Sequence, residues 1–288
     1  MYSRRTAVIT LVLVFLTLIG CSQGQQSTTT TRSEMDVIRE TRTIRAGWGP
    51  YAPYASLDPA TKKPQGFYID LFEEVARESG LKVEWVETTW GTMISDIKAN
   101  KFQVMGAPVF RTVPRAFEIA FSRPIDYFGY SAIIRANETR FKTIDDFNRG
   151  DITLAVTQGE VGHDYAQRHL PKAKLVVHKT GDIALALTDV IENRADAGIC
   201  DAWTAKQFAA EHKGAVRDLF ADKPFNIVGA GWFVKQDQVE LLQFLNTSID
   251  WLESSGEIQR TASKYQLPSF FRQELTPANS SSSASQAK

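Results

Sequence analysis

The stretch from Arg111 to Ser122 reads RTVPRAFEIAFS, with two guanidinium groups four residues apart ahead of an apolar run. A planar guanidinium offers two parallel donors to a carboxylate. The pair is therefore either part of an anion clamp or a solvated turn before a core strand. The opposite charge of interest is Asp201, which ends the run ADAGICD at 195–201 and stands where it would also cap a helix over AWTAKQF. The four histidines, His163, His169, His178 and His212, lack Asp or Glu partners at metal-ligand spacing. Neither a Ser/His/Asp set nor a phosphate-binding glycine loop is present. No metal and no cofactor are expected.

The elements that would position these groups alternate. TIRAGWG at 43–49 has strand character and runs into a turn-rich loop with four prolines. Ile69, Phe72, Val75 and Ala76 then recur at helical spacing up to Gly80, LKVEWVE alternates as a half-buried strand, a helix is predicted over Thr92–Ala99, and Phe102–Val109 is an apolar strand. The rhythm restarts with the strand DITLAVTQG, the helix HDYAQRHL, the strand AKLVVH, the amphipathic helix DIALALTDVIENR and the short strand before Asp201. Two α/β units of similar layout imply two lobes, each a mostly parallel sheet flanked by helices. SAIIRAN at 131–137 and NIVGAGWFVK at 226–235 bracket the second unit as two extended crossings, a hinge able to close around a ligand. The expected division is 40–132 plus 231–270 for the first lobe and 133–230 for the second, with the helices over 238–252 and GEIQRTASKY returning to the first.

With 33 basic and 33 acidic residues the chain has no net formal charge, so nothing in it suits nucleic acid. At the N-terminus, Arg4 and Arg5 precede an apolar run, Ala7–Gly20, that is short for a membrane span and reads as an export signal. It closes on Leu18, Ile19, Gly20 and Cys21, which resembles a bacterial lipobox. On that likeness Cys21 is lipidated and begins the mature chain. Residues 22–39, opening with SQGQQSTTTT, are expected to be a flexible tether, and 276–288 a disordered tail. Cys200 is then the mature chain's other cysteine, so no intramolecular disulfide forms, and a buried, small apolar role is expected.

The ordered segments QGFYIDLFEEVA, TTWGTMISDIKANKFQV, TVPRAFEIAFSRPI, VTQGEVGHDYA, IENRADAGICD and SGEIQRTASKY resemble the polar amino acid family of bacterial extracellular solute-binding proteins over nearly all of residues 40–268. The resemblance implies a two-lobed periplasmic-binding-protein-like α/β fold. It also implies an extracytoplasmic, lipid-anchored monomer that captures an amino-acid-like ligand for an ABC permease. By the same likeness, the T-x-x-R-A arginine that holds the ligand carboxylate falls on Arg115, with Thr112 at the threonine, whereas Arg111 matches no family position. The acid that receives the ligand ammonium falls on Asp201. Tyr51 falls at a position that stacks on the ligand side chain and Trp90 at one that closes over it, although Trp90 would equally serve as a core residue.

The chain departs from the family pattern at several contact positions. Trp48 stands where basic amino acid binders often carry an acid, and Phe110, two after Pro108, replaces a small hydroxyl. The turn that usually reads G-T-T is Gly159, Glu160, Val161, and Glu160 would oppose a carboxylate. The expected cleft is therefore aromatic-lined, for a small amphoteric or cationic compound, with Trp203 and Trp232 as further lining candidates. Two rivals share the fold. One is a cyclohexadienyl or arogenate dehydratase-like enzyme with Glu160 or His163 as general acid, against the expectation of no catalysis. The other is a sensing module for a membrane receptor.

Overall fold

The structure is a computed structural model that describes residues 32–267. Cys21, most of the tether segment and the tail at 276–288 lie outside the described residues. The tether expected to reach residue 39 gives way earlier, to helix α1 over Glu34–Thr41. Ser33 begins it with a capping box: its hydroxyl accepts from the Asp36 amide while the Asp36 carboxylate accepts from the Ser33 amide. Ile38 anchors it by being fully buried, and Glu34 pairs with Lys235 and accepts from Gln103. Its polar sequence conceals a helix held by Ile38, local caps and the contacts of Glu34.

The first half of the fold follows as β1 (Thr43–Trp48), a small hairpin of β2 (Ser56–Leu57) and β3 (Pro64–Gln65), α2 (Phe67–Glu78), β4 (Lys82–Glu87), α3 (Met93–Lys98), β5 (Val104–Phe110), α4 (Val113–Glu118) and β6 (Ala120–Phe121). Strand β7 (Asp126–Arg135) leads into the second half, which contains β8 (Thr153–Thr157), α5 (Val161–His169), β9 (Lys174–His178), α6 (Ile183–Ile191), β10 (Ala197–Asp201), α7 (Ala202–Glu211) and β11 (Val216–Asp218). The chain returns through β12 (Phe225–Val234) to α8 (Val239–Ser254) and α9 (Glu257–Lys264).

The main sheet runs β4-β1-β5-β12-β7-β10-β8-β9. Strand β1 lies parallel to β4 and β5, and β8 lies parallel to β9 and β10, so each half has its own parallel core. Between them β12 and β7 run antiparallel to each other and to their outer neighbours. These two strands are the crossings. Burial follows position in the sheet: every residue of β5 is covered, whereas edge strand β4 alternates toward solvent.

At the crossings two contacts mirror each other. A Cβ on Gly129 of β7 would lie 2.4 Å from Pro224, just before β12, and one on Gly229 of β12 would lie 2.8 Å from Pro124, just before β7. Each crossing strand thus needs a bare backbone where the other strand's entry proline packs. The C-terminal helix α9 returns to the first half: Tyr265 donates to Asp70 at 2.8 Å, and the Gly66 amide donates to the Tyr265 hydroxyl at 3.0 Å. Trp232, a candidate cleft residue by sequence, is instead core. It is fully buried, its indole N–H donates to the Gly106 carbonyl at 3.0 Å, and its ring meets Phe72 edge-on at 5.2 Å.

Candidate ligand-binding cleft

The carboxyl ends of the parallel strands in both halves converge on one cavity of about 30 Å³. Segments following β1, β4 and β5 supply Tyr51, Trp90 and the Pro108–Phe110 end of β5, with Arg115 on α4. Segments following β8, β9 and β10 supply Gly159, Glu160, Val161, Ile183 and Asp201. Loops at strand carboxyl ends are where an open α/β sheet can gather groups from distant sequence positions without breaking its ladder.

Arg115 is buried on the short helix α4, with Pro114 in its first turn. One guanidinium nitrogen donates to the Phe110 carbonyl at 3.1 Å within the same half. The other donates to the Gly159 carbonyl at 2.7 Å and lies 3.4 Å from Asp164, both in the second half. Gly159 is required by that approach. Its φ of +77° is left-handed, and a Cβ there would stand 2.4 Å from the Trp90 carbonyl oxygen across the cleft.

Asp201 is buried at the junction of β10 and α7 and does two things at once. Its Oδ1 caps α7 by accepting from the Thr204 amide at 2.8 Å and also accepts from the Tyr51 hydroxyl of the other half at 2.6 Å. Its Oδ2 is buried with no hydrogen-bond partner among the described residues. Burial and the neighbouring Asp201 charge raise the Tyr51 hydroxyl well above its ordinary value, which keeps it a donor.

Glu160 is also buried and caps α5, its Oε2 accepting from the Gly162 amide at 2.6 Å. Burial, then the charge of Asp201, pushes its carboxyl well above the usual carboxylate range, against the amide of Gly162 and the charge of Arg115. Burial raises Asp201 too, but Asp201 accepts from both Thr204 and Tyr51. Of two carboxyls that disfavour each other's charge, the better hydrogen-bonded one ionises first. Asp201 is thus the more acidic of the two. His163 does not line the cavity; the Gly159 amide points at its Nδ1 from 3.4 Å, and partial burial lowers its pKa.

Aromatic rings form the remaining walls. Phe110 stacks on Phe128 with centroids 4.8 Å apart, and Tyr51 meets Trp90 edge-on at 6.2 Å. The Trp90 indole nitrogen is buried without a partner among the described residues. Trp48 and Trp203 do not line this cavity. With Tyr51 they face an adjoining, larger one of about 710 Å³ that also carries Glu87, Asp182 and Glu211. Thr112 lies outside both, and its buried hydroxyl neither caps α4 nor finds another partner among the described residues.

Asp164 and Ile183 were not singled out by sequence. Asp164 follows Glu160 by one helical turn, a spacing that would place both acids on one face. Asp196 serves structure, accepting from the Thr153 amide at 2.9 Å and pairing with Arg140 at 2.7 Å. Cys200 is buried, and among the described residues there is no group of three side chains arranged for a metal ion. No described helix is long and apolar enough to cross a membrane.

Residues 44–268 match the bacterial extracellular solute-binding proteins, family 3. A probable histidine-binding protein of Campylobacter jejuni is 26% identical over 257 residues, covering 88% of this chain and 94% of its own. A cyclohexadienyl dehydratase of Pseudomonas aeruginosa is 23% identical, with 79% and 84% covered, and a probable amino-acid ABC transporter-binding protein of Haemophilus influenzae is 24% identical, with 78% and 85% covered. Among solved structures, the ancestral amino acid-binding protein AncCDT-1, a precursor of cyclohexadienyl dehydratase, is 28% identical with a TM-score of 0.71, over 81% of this chain and 99% of its own.

Proposed function

The chain belongs to family 3 of the bacterial extracellular solute-binding proteins, and from that premise we propose that it captures an amino acid, or a similar small amphoteric or cationic compound, for an ABC importer. The observation that carries the reading is a guanidinium and an unsatisfied carboxylate oxygen in one cavity, on residues that each bond across the cleft. Arg115 takes the ligand carboxylate, Asp201 Oδ2 takes the ammonium, and Tyr51, Trp90 and Phe110 hold the side chain between flat faces. Gly159, Glu160 and Val161 form the wall of the second half, while Trp48 and Trp203 face the ligand's distal end from the adjoining cavity.

Because the ligand touches both halves, it favours the closed form, and the closed form is what the permease recognises. The protein works outside the cytoplasm as a monomer tethered through lipidated Cys21. Replacing Cys21 by Ala is expected to move the protein from the membrane fraction to the soluble one, and an unchanged distribution would remove the anchor. The binding reading is tested by thermal-shift screening of the twenty amino acids, where at least one should raise the melting temperature in proportion to the logarithm of its concentration.

Glu160 favours a second reading, a dehydratase-like enzyme. A buried, uncharged carboxyl beside a carboxylate clamp is the equipment of a general acid, and two of the similar proteins carry cyclohexadienyl dehydratase in their names. Incubation with arogenate distinguishes the two. Turnover abolished in Glu160→Gln supports the enzyme, and intact arogenate supports binding alone.

A further inference from the structure

Three carboxylates surround one cation at the cleft. Arg115 reaches Gly159 and Asp164, while Glu160 and Asp201 line the same cavity as its guanidinium. Were all ionised, a ligand carboxylate would enter a region already two charges negative, poorly screened by water. The donors available to such a carboxylate are also few. Phe110 and Val161 bring no hydroxyl to the cavity and the Tyr51 hydroxyl is committed to Asp201, which leaves Arg115 and the Trp90 indole, unpartnered among the described residues, as side-chain donors. Glu160 commits Oε2 to the Gly162 amide, and its other oxygen makes no hydrogen bond among the described residues.

Both shortages have one remedy. We propose that Glu160 is the neutral acid when the cleft closes, and that its O–H donates to the ligand carboxylate, making capture of a carboxylate-bearing ligand proton-linked. The inference rests on the binding reading and adds the state in which the site must be held. The surroundings point the same way. Glu160 is faced by Asp201 and the Cys200 thiol of β10, by Asp164 on its own helix, by Tyr130 of β7, by Tyr51 beyond β1 and by Arg115 of α4. Only Arg115 among these carries a fixed positive charge, and it is already beside Asp164. Burial further disfavours the ionised form. The helix cap favours it, but through one amide.

The proposal separates two probes that differ only in a carboxylate, L-arginine and its decarboxylated counterpart agmatine. Titration calorimetry between pH 5.5 and 8 should show arginine affinity falling by up to about tenfold per pH unit once Glu160 ionises. Agmatine affinity should stay level or rise over the same range. In Glu160→Gln, whose amide carbonyl still caps α5, the arginine slope should vanish. A level arginine profile in the parent protein, or the same slope in the Gln variant, would overturn the proposal.

A ligand-free arm keeps the test independent of the probe. A carboxyl whose folded pKa is raised contributes stability below its unfolded pKa that is lost as pH rises through the folded value. The parent protein should therefore lose melting temperature from pH 5.5 to 8 relative to Glu160→Gln. A constant difference between the two would also overturn the proposal. If neither probe binds, arginine capture fails while this comparison still decides the protonation of Glu160.

Discussion

Arg115 and Asp201 are the residues on which the proposed binding turns, and they were legible for different reasons. Arg115 stands in a segment whose order of residue types resembles a family motif, and the structure gives it burial and an acceptor across the cleft. Asp201 was legible as the end of a strand before a helix, but its bond to Tyr51 was not, because 150 residues separate the two. Asp164 and Ile183 were hidden for the same reason: nothing local marks a side chain whose partner comes from the opposite half. Trp232 misled because strand alternation alone does not say which face meets the core, and only packing against Phe72 decides it. The dual task of Asp201 yields a clean substitution. Asn caps helices as well as Asp does, so Asp201→Asn should keep the fold yet lose the charge offered to an ammonium. Losing a charge-assisted hydrogen bond costs about 1.5–3 kcal/mol, or roughly 10–100-fold in affinity. Calorimetry against the best amino acid from the screen would measure it, and unchanged affinity would free Asp201 from ligand contact.

At the scale of elements, strands and helices were readable because helices bury one apolar stripe while central strands such as β5 and β10, covered on both faces, read as short apolar runs. The exception is α1, whose single fully buried residue is too little to leave a periodic pattern. If α1 belongs to the fold, Ile38→Ala should cost about 2–5 kcal/mol by vacating a filled site, seen as a lower denaturant midpoint. A change within error would return the segment to the tether. The turn between β8 and α5 carries a different expectation. In the closed form a methyl group on Gly159 meets the Trp90 carbonyl, whereas with the halves apart it costs only the strain of a positive φ, roughly 1–2 kcal/mol. Gly159→Ala should therefore weaken ligand binding far more than it lowers the melting temperature of the free protein. Equal losses in both would mean that the glycine serves the turn alone.

Across the described residues the main sheet has a parallel core in each half with two crossing strands between them, and each half reaches the other through Arg115–Gly159, Tyr51–Asp201 and the Trp203 indole on the Ala52 carbonyl. On the proposed reading, that arrangement couples ligand contact to the angle between halves. The cavity measures about 30 Å³, so on that reading an amino acid enters only with the halves parted, and capture includes a closing step. The central claim is that Arg115 binds the ligand's carboxylate while also holding the halves together. It is tested most directly by calorimetric titration of the amino acid giving the largest thermal shift into the parent protein and Arg115→Ala. Truncating one partner of a buried charge pair costs 2 kcal/mol or more, so affinity should fall at least about 30-fold, with the decarboxylated analogue of that amino acid affected far less. Equal affinities of the amino acid for the two proteins would contradict the account.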